Sequence, residues 1–296
     1  MPVPNRPVRG VAAGVPFLAV PPTRRLDQPA PVVVAWHPMD PPRTEAAFAA
    51  ALPLDGLEAW RIYLGLPLCG SRSPAGGDEE LMRLGYEDAV MNLQGPIAVQ
   101  GAEEFPAALG ALRGQLDLGD GPLALVGGSM GSAVVLLVLT EADRADDIAA
   151  AVLVSPMAQL RPAVDATGRR YGMTYPWGPA SLAVARRLDF VARVDEIVRH
   201  GQPAVRLIVG ARDDPDGFLA PGQRLVAGLA DRYDDPARAD LVVVADMAHA
   251  LAEEPGVEPA PQTAPAAAVD RHAVHWLRRH LGGTAAPGLG AAGEEP

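Results

Sequence analysis

The chain has 296 residues, a formal net charge of −11 and a single cysteine, and these properties exclude several classes of protein. The negative charge disfavours a general nucleic-acid-binding role, because phosphate binding needs a positive field. All 25 basic residues are arginines, which excludes mechanisms that need a lysine amine, such as Schiff-base formation or a phosphate-loop lysine. With Cys69 as the only cysteine, an intramolecular disulfide and a cysteine-based zinc site are also excluded.

The apolar runs are too short for a membrane span, and the chain length suits one large α/β domain. The longest apolar run, residues 133–139, is far below the roughly 20 residues that a spanning helix needs. The opening stretch MPVPNRPVRG is polar and does not form a secretory signal pattern. We therefore expect a cytoplasmic protein that associates with neither membranes nor nucleic acid. The oligomeric state stays open.

Strand-like and helix-like segments alternate along the chain, as is typical of a mostly parallel sheet flanked by helices. GVAAGVPFLAVPP, APVVVAWHPM and EAWRIYLGLP each predict a strand. EELMRLGYEDAVMNL and PIAVQGAEEFPAALGALRGQL predict helices, the second kinked or interrupted at Pro106. IAAAVLVSP, AVRLIVGARDD and ADLVVVADMAH predict parallel strands buried on both faces. A final amphipathic helix precedes the Gly/Ala-rich tail, residues 282–296, which we expect to be disordered.

The stretch PLALVGGSMGSAVVLLVL places Ser129 in a glycine-rich turn between a predicted strand and a predicted helix. Residues 127–131, GGSMG, fit the pattern G-x-S-x-G, in which a serine occupies a strained strand-to-helix turn with its hydroxyl exposed. The small flanking residues would let the strand and the helix approach closely. The alternative is a glycine-rich turn with an incidental serine. The strand before the turn and the helix after it favour a nucleophile.

A serine hydroxyl is a poor nucleophile without a neighbouring base, and that base needs a carboxylate to orient it. His249 is the candidate base, because it alone among the histidines follows a strong predicted strand in the C-terminal half. The carboxylate should follow the preceding strand, where RLIVGARDDPDGF offers three aspartates. Asp213 comes first and is the preferred acid. Asp214 is the alternative, and its position before Pro215 also suits a turn.

The other histidines favour structural roles. His200 ends a predicted helix, where a positive charge is favourable. His272, His275 and His280 share the last predicted helix, and the three-residue step of the first pair could bind a metal ion. No acidic or cysteine partner lies at ligand spacing, so a solvated helix face is favoured and no metal site is predicted.

With Ser129, Asp213 and His249 in this chain order, the sequence resembles the serine esterases of the α/β-hydrolase superfamily over residues 10–281. The resemblance implies an α/β-hydrolase fold, with a mostly parallel central sheet, flanking helices and a small cap or lid insertion at residues 157–186. It also implies acyl transfer through a covalent acyl-enzyme, with no metal and no organic cofactor.

The resemblance further implies where an oxyanion hole would lie. Serine esterases of this superfamily have H-G-x-G after an early strand, and this chain has His37, Pro38, Met39 and Asp40 at that place. The backbone N–H groups of Met39 and of Met130, the residue after the nucleophile, are the implied donors. Pro38 has no N–H, so it cannot supply a third donor. His37 itself is expected to be structural.

The predicted cap carries three aromatic residues, Tyr171, Tyr175 and Trp177, which we expect to line a substrate pocket. The alternative is that they only hold a loop against the core. A cap of this size favours carboxylic esters of small to medium size. A thioesterase, an acyltransferase or a peptidase with the same triad is an alternative function, and so is a non-catalytic binding protein on the same fold.

Overall fold

The computed structural model describes residues 6–24, 26–141, 148–199 and 201–282, which form one eight-stranded sheet with helices on both faces. His200 and residues 283–296 of the predicted tail lie outside this description. The strands are β1 (Val8–Ala12), β2 (Val15–Val20), β3 (Val32–Trp36), β4 (Trp60–Leu64), β5 (Leu123–Gly128), β6 (Ile148–Val154), β7 (Ala204–Gly210) and β8 (Ala239–Val244).

The sheet order is β1-β2-β4-β3-β5-β6-β7-β8, and every pairing from β4 to β8 is parallel. The pairings β1–β2 and β2–β4 are antiparallel. The mostly parallel sheet that the sequence predicts is therefore confirmed. Because the parallel strands all point the same way, their carboxyl ends meet at one edge of the sheet, where ligands bind in folds of this kind.

Two hydrophobic clusters, one on each face of the sheet, form the core. The helices are α1 (Glu45–Ala51), α2 (Gly77–Asp88), α3 (Gly95–Leu116), α4 (Met130–Glu141), α5 (Leu160–Tyr171), α6 (Pro179–Arg187), α7 (Val194–Arg199), α8 (Ala220–Arg232) and α9 (Ala264–Leu281). Side chains of β3 alternate between the two clusters. Val34 belongs to the cluster that contains residues of α3, α4 and α8, and Val33 belongs to the cluster that contains residues of α1 and α9. Helix α4 lies in the interior, with every residue from 130 to 140 buried.

The N-terminal segment differs from the prediction of a single strand. The structure divides GVAAGVPFLAVPP into the hairpin β1–β2, in which Ala12 pairs with Val15. The two residues between them, Ala13 and Gly14, both have positive φ, 47° and 87°. Two-residue turns of this kind match the twist of an antiparallel pair, so the chain reverses here.

The burial expected of β8 was wrong, and of the two outcomes expected at Pro106, a kink or an interruption, the interruption is not observed. Strand β8 is not buried on both faces, because it lies at the end of the sheet and pairs only with β7. Its Val243 is 46% exposed. Helix α3 is not interrupted at Pro106 but runs through it. Pro106 lies on the exposed face of α3, where solvent can hydrogen-bond the carbonyl that the missing N–H leaves free.

No helix within the described residues is both long and apolar enough to cross a bilayer. The segment predicted as a cap, residues 157–186, contains α5 and most of α6. Its role as a lid stays a prediction.

Candidate active site

Ser129 is the single residue between the end of β5 and the start of α4, so the chain turns from strand to helix at this residue. Its φ is 45°, in the left-handed region that non-glycine residues rarely adopt. The Ser129 N–H donates to the carbonyl oxygen of Val154 at 2.8 Å. A side chain at Gly127 would collide with the backbone of Gly131, and one at Gly131 would collide with the carbonyl of Trp36. The glycines therefore permit the close approach that the sequence predicts.

The structure brings Ser129, His249 and Asp213 into one hydrogen-bonded chain. The Oγ atom of Ser129 lies 2.8 Å from Nε2 of His249, and Nδ1 of His249 lies 2.7 Å from Oδ2 of Asp213. The Asp213 side chain is only 4% exposed and that of His249 is 16% exposed. A carboxylate that accepts from Nδ1 keeps the proton there, so Nε2 is free to accept the serine proton.

The alternative acid, Asp214, has other hydrogen-bond partners than the histidine. One of its carboxylate oxygens accepts the N–H groups of Asp216 and Gly217 at 3.0 and 2.8 Å. The same oxygen accepts from Arg169 at 2.8 Å. Asp214 thus caps the short helical turn that follows β7, which is the turn role predicted for the aspartate that does not orient the base.

Charges around His249 favour its protonated form. Burial lowers the pKa of His249, but the hydrogen bond to Asp213 and the charges of Asp213 and Asp40 outweigh that effect, so the pKa is raised above its ordinary value. Arg170 opposes this rise. Asp40 contributes from close range, since its Oδ2 lies 3.7 Å from Nε2 of His249. An imidazolium formed when the histidine takes a proton would therefore be stabilised by two carboxylates.

Three further side chains hold the triad in place, and sequence reasoning missed them. Ser155 donates its hydroxyl to the backbone carbonyl of His249 at 3.1 Å. The Phe218 ring packs on the imidazole with a centroid distance of 4.3 Å. Ser132 donates its hydroxyl to the carbonyl oxygen of Ser129 at 2.5 Å. Ser155 directly follows β6, so its place at a strand end was the available signal.

A cavity of about 880 Å³ opens onto Ser129 and His249. Met39 and Met130 line it, as expected of residues whose backbone N–H groups would face a bound carbonyl oxygen. Within the described part of the chain, neither N–H donates to an acceptor. Met130 is the first residue of α4, where N–H groups have no partner inside the helix. Helix α5 forms another wall, which includes Tyr171.

The structure does not place Tyr175 and Trp177 on the wall of this cavity, which corrects the prediction that they line it. Their rings pack edge to face with centroids 4.7 Å apart. Tyr175 donates its hydroxyl to Asp88 at 2.5 Å, and the Trp177 indole donates to Asp165 at 3.3 Å. Tyrosine and tryptophan bury a large ring while their polar ends find partners, so this pair holds the loop before α6 against α2 and α5.

His37 is fully buried and holds the loop that carries Met39. Its Nε2 accepts the N–H of Leu66 at 3.0 Å, and its Nδ1 lies 2.8 Å from the carbonyl oxygen of Pro38. Burial lowers the pKa of His37 to about 4, so the ring is neutral. This is the structural role expected from the sequence. Burial also raises the pKa of the Cys69 thiol to about 12, which makes it unreactive.

Residues 6–24, 26–141, 148–199 and 201–282 contain no group of three or more histidine, cysteine or acidic side chains that could hold a metal ion.

No protein-family model matches the chain, and no curated protein matches it in sequence. Solved structures do match it. TT1662 from Thermus thermophilus superposes with a TM-score of 0.60 at 19% identity, over 93% of this chain and 98% of that one. A puromycin-hydrolyzing peptidase from Mycobacterium tuberculosis superposes with a TM-score of 0.61 at 20% identity, over 94% of this chain and 40% of that one. The acylaminoacyl peptidase of Pyrococcus horikoshii superposes with a TM-score of 0.62 at 13% identity, over 96% of this chain and 43% of that one.

These likenesses extend over nearly the whole of this chain but cover only about two fifths of the two peptidases. At such low identity they establish the fold and not the activity. Together with the sheet order and the serine turn, they confirm the α/β-hydrolase fold that the sequence resemblance implies.

Proposed function

Because the chain has the α/β-hydrolase fold, we propose that it is a serine hydrolase that cleaves carboxylic esters through an acyl-enzyme on Ser129. The single observation that carries the proposal is the hydrogen-bonded chain from Ser129 through His249 to Asp213. Each of the three side chains follows the carboxyl end of a different parallel strand. The same arrangement of nucleophile, base and orienting carboxylate performs acyl transfer on several unrelated folds.

In the proposed reaction the Oγ atom of Ser129 attacks the carbonyl carbon while Nε2 of His249 takes the hydroxyl proton. The carbonyl oxygen becomes an oxyanion, for which the backbone N–H groups of Met39 and Met130 are the proposed donors. Each such donor is worth roughly 3 kcal/mol in the transition state. His249 then passes its proton to the leaving alkoxide as the C–O bond breaks. Water, deprotonated by the same histidine, releases the acid and restores the serine.

Asp213 and Asp40 support this cycle electrostatically. Both carboxylates raise the pKa of His249, so the imidazolium that exists during each transfer is favoured. Asp213 is nearly fully buried, whereas Asp40 is about half exposed. Asp213 therefore interacts in a less polar environment, and its hydrogen bond also fixes the orientation of the ring. Asp40 acts as a weaker, solvent-screened charge.

A peptidase is the second candidate, and one finding favours it. Two of the similar solved structures are a puromycin-hydrolyzing peptidase and an acylaminoacyl peptidase, and both act on amides by name. The residues of the triad are the same for either bond. Thioester hydrolysis and acyl transfer to another alcohol would also use this triad. The proposed partner is a small-molecule ester or other acyl substrate and not a nucleic acid, in keeping with the net charge of −11.

A substrate panel separates these candidates. The purified full chain and its Ser129→Ala variant would be assayed on p-nitrophenyl esters, acyl thioesters and aminoacyl p-nitroanilides. We expect the highest kcat/KM for the esters and a loss of about 10⁴-fold or more in the variant. Faster release from the anilides would move the function to a peptidase. Equal rates in both proteins would refute catalysis by Ser129. A location in the cytoplasm, where the single buried Cys69 would stay reduced, is part of the proposal and would be tested by cell fractionation.

A further inference from the structure

A second cavity of about 850 Å³ adjoins the one that contains the triad. Met39, Thr167 and Tyr171 line both cavities and separate them. Met39 is also one of the two residues whose N–H would bind the substrate carbonyl oxygen. A group attached to that carbonyl would therefore lie next to Met39, at the boundary with the second cavity.

Exposed apolar side chains are concentrated around this second cavity. Nine large hydrophobic side chains within the described residues are exposed. Five of them line this one cavity: Met82 (57%), Tyr86 (78%), Tyr171 (63%), Met173 (49%) and Val257 (41%). They come from α2, from the end of α5 with the loop that follows it, and from the loop before α9. Single exposed hydrophobic residues are ordinary, but a cluster drawn from three separate segments marks a binding surface.

The charged residues of this cavity do not favour a charged ligand. Arg43 pairs with Glu254 at 2.9 Å, and Glu45 accepts a hydrogen bond from Ser71 at 3.0 Å. Arg9, Asp78 and Glu258 also line the cavity, and all three are exposed to solvent. The lining thus has three carboxylates and two guanidinium groups, of which Arg43 is already paired, so neither sign of charge dominates. An uncharged apolar group would instead meet the methionine and tyrosine side chains.

We propose that the second cavity binds a large uncharged apolar group of the substrate, a long alkyl chain or an aromatic ring, attached to the carbonyl that Ser129 attacks. The inference rests on the proposed hydrolase function and adds the substrate class. The volume, about 850 Å³, lies in the range of sites that enclose whole small molecules. A small ester such as an acetate would leave the cavity empty, and each methylene group that leaves water there should raise the rate up to about fourfold.

Two fluorophosphonate probes, one with an ethyl chain and one with a decyl chain, test the inference on the full chain. Labelling needs only the attack by Ser129, so the rate constants do not depend on how fast any acyl group is released. The test variant carries Met82→Glu and Met173→Glu, which place two carboxylates in the cavity at exposed positions. The control variant carries Met91→Glu and Val243→Glu, which change the same charge at exposed apolar positions outside both cavities.

We expect the decyl probe to label the wild-type chain at least tenfold faster than the ethyl probe. The test variant should lose this preference because its decyl rate falls towards its ethyl rate, while the control variant keeps both rates. Equal labelling of the wild-type chain by the two probes would overturn the inference and leave the proposed function standing. A decyl preference that survives in the test variant would also overturn it. Failure of both probes to label a folded wild-type chain would refute the proposed function itself, and the inference with it.

Discussion

Replacement of Asp213 by asparagine should put the proton of His249 on the wrong nitrogen, because the structure determines which way the new amide faces. One oxygen of Asp213 accepts the backbone N–H of Asp214 at 2.8 Å, and the other contacts Nδ1 of His249 at 2.7 Å. In asparagine only the carbonyl oxygen can accept the N–H of Asp214, so the NH₂ group must point at Nδ1. Nδ1 then accepts, the proton moves to Nε2, and Nε2 cannot take the proton of Ser129.

The variant also loses the buried charge that stabilises the imidazolium. A wrong tautomer together with a lost carboxylate costs about 10³- to 10⁴-fold in turnover in serine hydrolases. This corresponds to about 4 to 5.5 kcal/mol of transition-state free energy. Asp214→Asn should cost less than about tenfold, because the asparagine oxygen still accepts from Asp216 and Gly217. It loses only the charge opposite Arg169, and such a partly exposed ion pair is worth about 1 kcal/mol or less.

Both variants would be assayed for kcat and KM on p-nitrophenyl butyrate, with thermal denaturation to establish matched folding. The Asp213→Asn variant should lose kcat with little change in KM, since the asparagine keeps the shape of the site. A larger loss in Asp214→Asn would show that Asp214 orients the base. Mild effects in both variants would mean that the carboxylate lies elsewhere and that the hydrogen-bonded chain is not the catalytic one.

Three further outcomes follow from the geometry. Asp40→Asn removes a charge that raises the pKa of His249, so the pKa should fall. Because the histidine must be neutral to act as a base, the acidic limb of the pH profile of kcat/KM should move to lower pH. A limb that stays in place or moves to higher pH would contradict this expectation. Trp177→Ala should lower the free energy of unfolding by about 1–2 kcal/mol without changing the preference among acyl chain lengths. A changed preference at unaltered stability would show instead that Trp177 lines the substrate pocket. In a denaturant titration, Gly131→Ala should lower the free energy of unfolding by about 1–3 kcal/mol, because the new methyl group would collide with backbone atoms. Gly114→Ala lies at an open position of α3 and should raise the free energy of unfolding by about 0.5–1 kcal/mol. Equal effects at the two glycines would contradict the packing argument.

The grouping of Ser129, His249 and Asp213 at one place could be predicted from the sequence because each of the three lies next to a strong local signal. Ser129 stands between an apolar strand and an apolar helix, and Asp213 and His249 follow β7 and β8, the last two strands that the structure describes. Parallel strands bring their carboxyl ends to one edge of the sheet, so the order of the strands along the chain was sufficient to group these side chains. The choice between Asp213 and Asp214 also followed from a local signal, the proline after Asp214, which the observed turn explains.

The pocket walls could not be predicted in the same way, because they depend on packing between segments far apart in the chain. Tyr175 reaches Asp88, 87 residues earlier, and that contact turns the aromatic pair away from the cavity. The second cavity likewise needs α2 to lie beside the end of α5, which no periodicity in either helix specifies. Besides Ser155, Asp40 was an accessible signal that was missed, since it follows Met39 in the loop after β3.

The most direct test of the account is the site at which a small fluorophosphonate reacts with the full chain. We expect one label per molecule, located by peptide mass spectrometry at Ser129, and no label in the Ser129→Ala variant. We also expect slow labelling of His249→Ala, because the hydroxyl then has no base at 2.8 Å. A folded wild-type chain that takes up no label, or a label that persists in Ser129→Ala, would contradict the claim that Ser129 is the nucleophile.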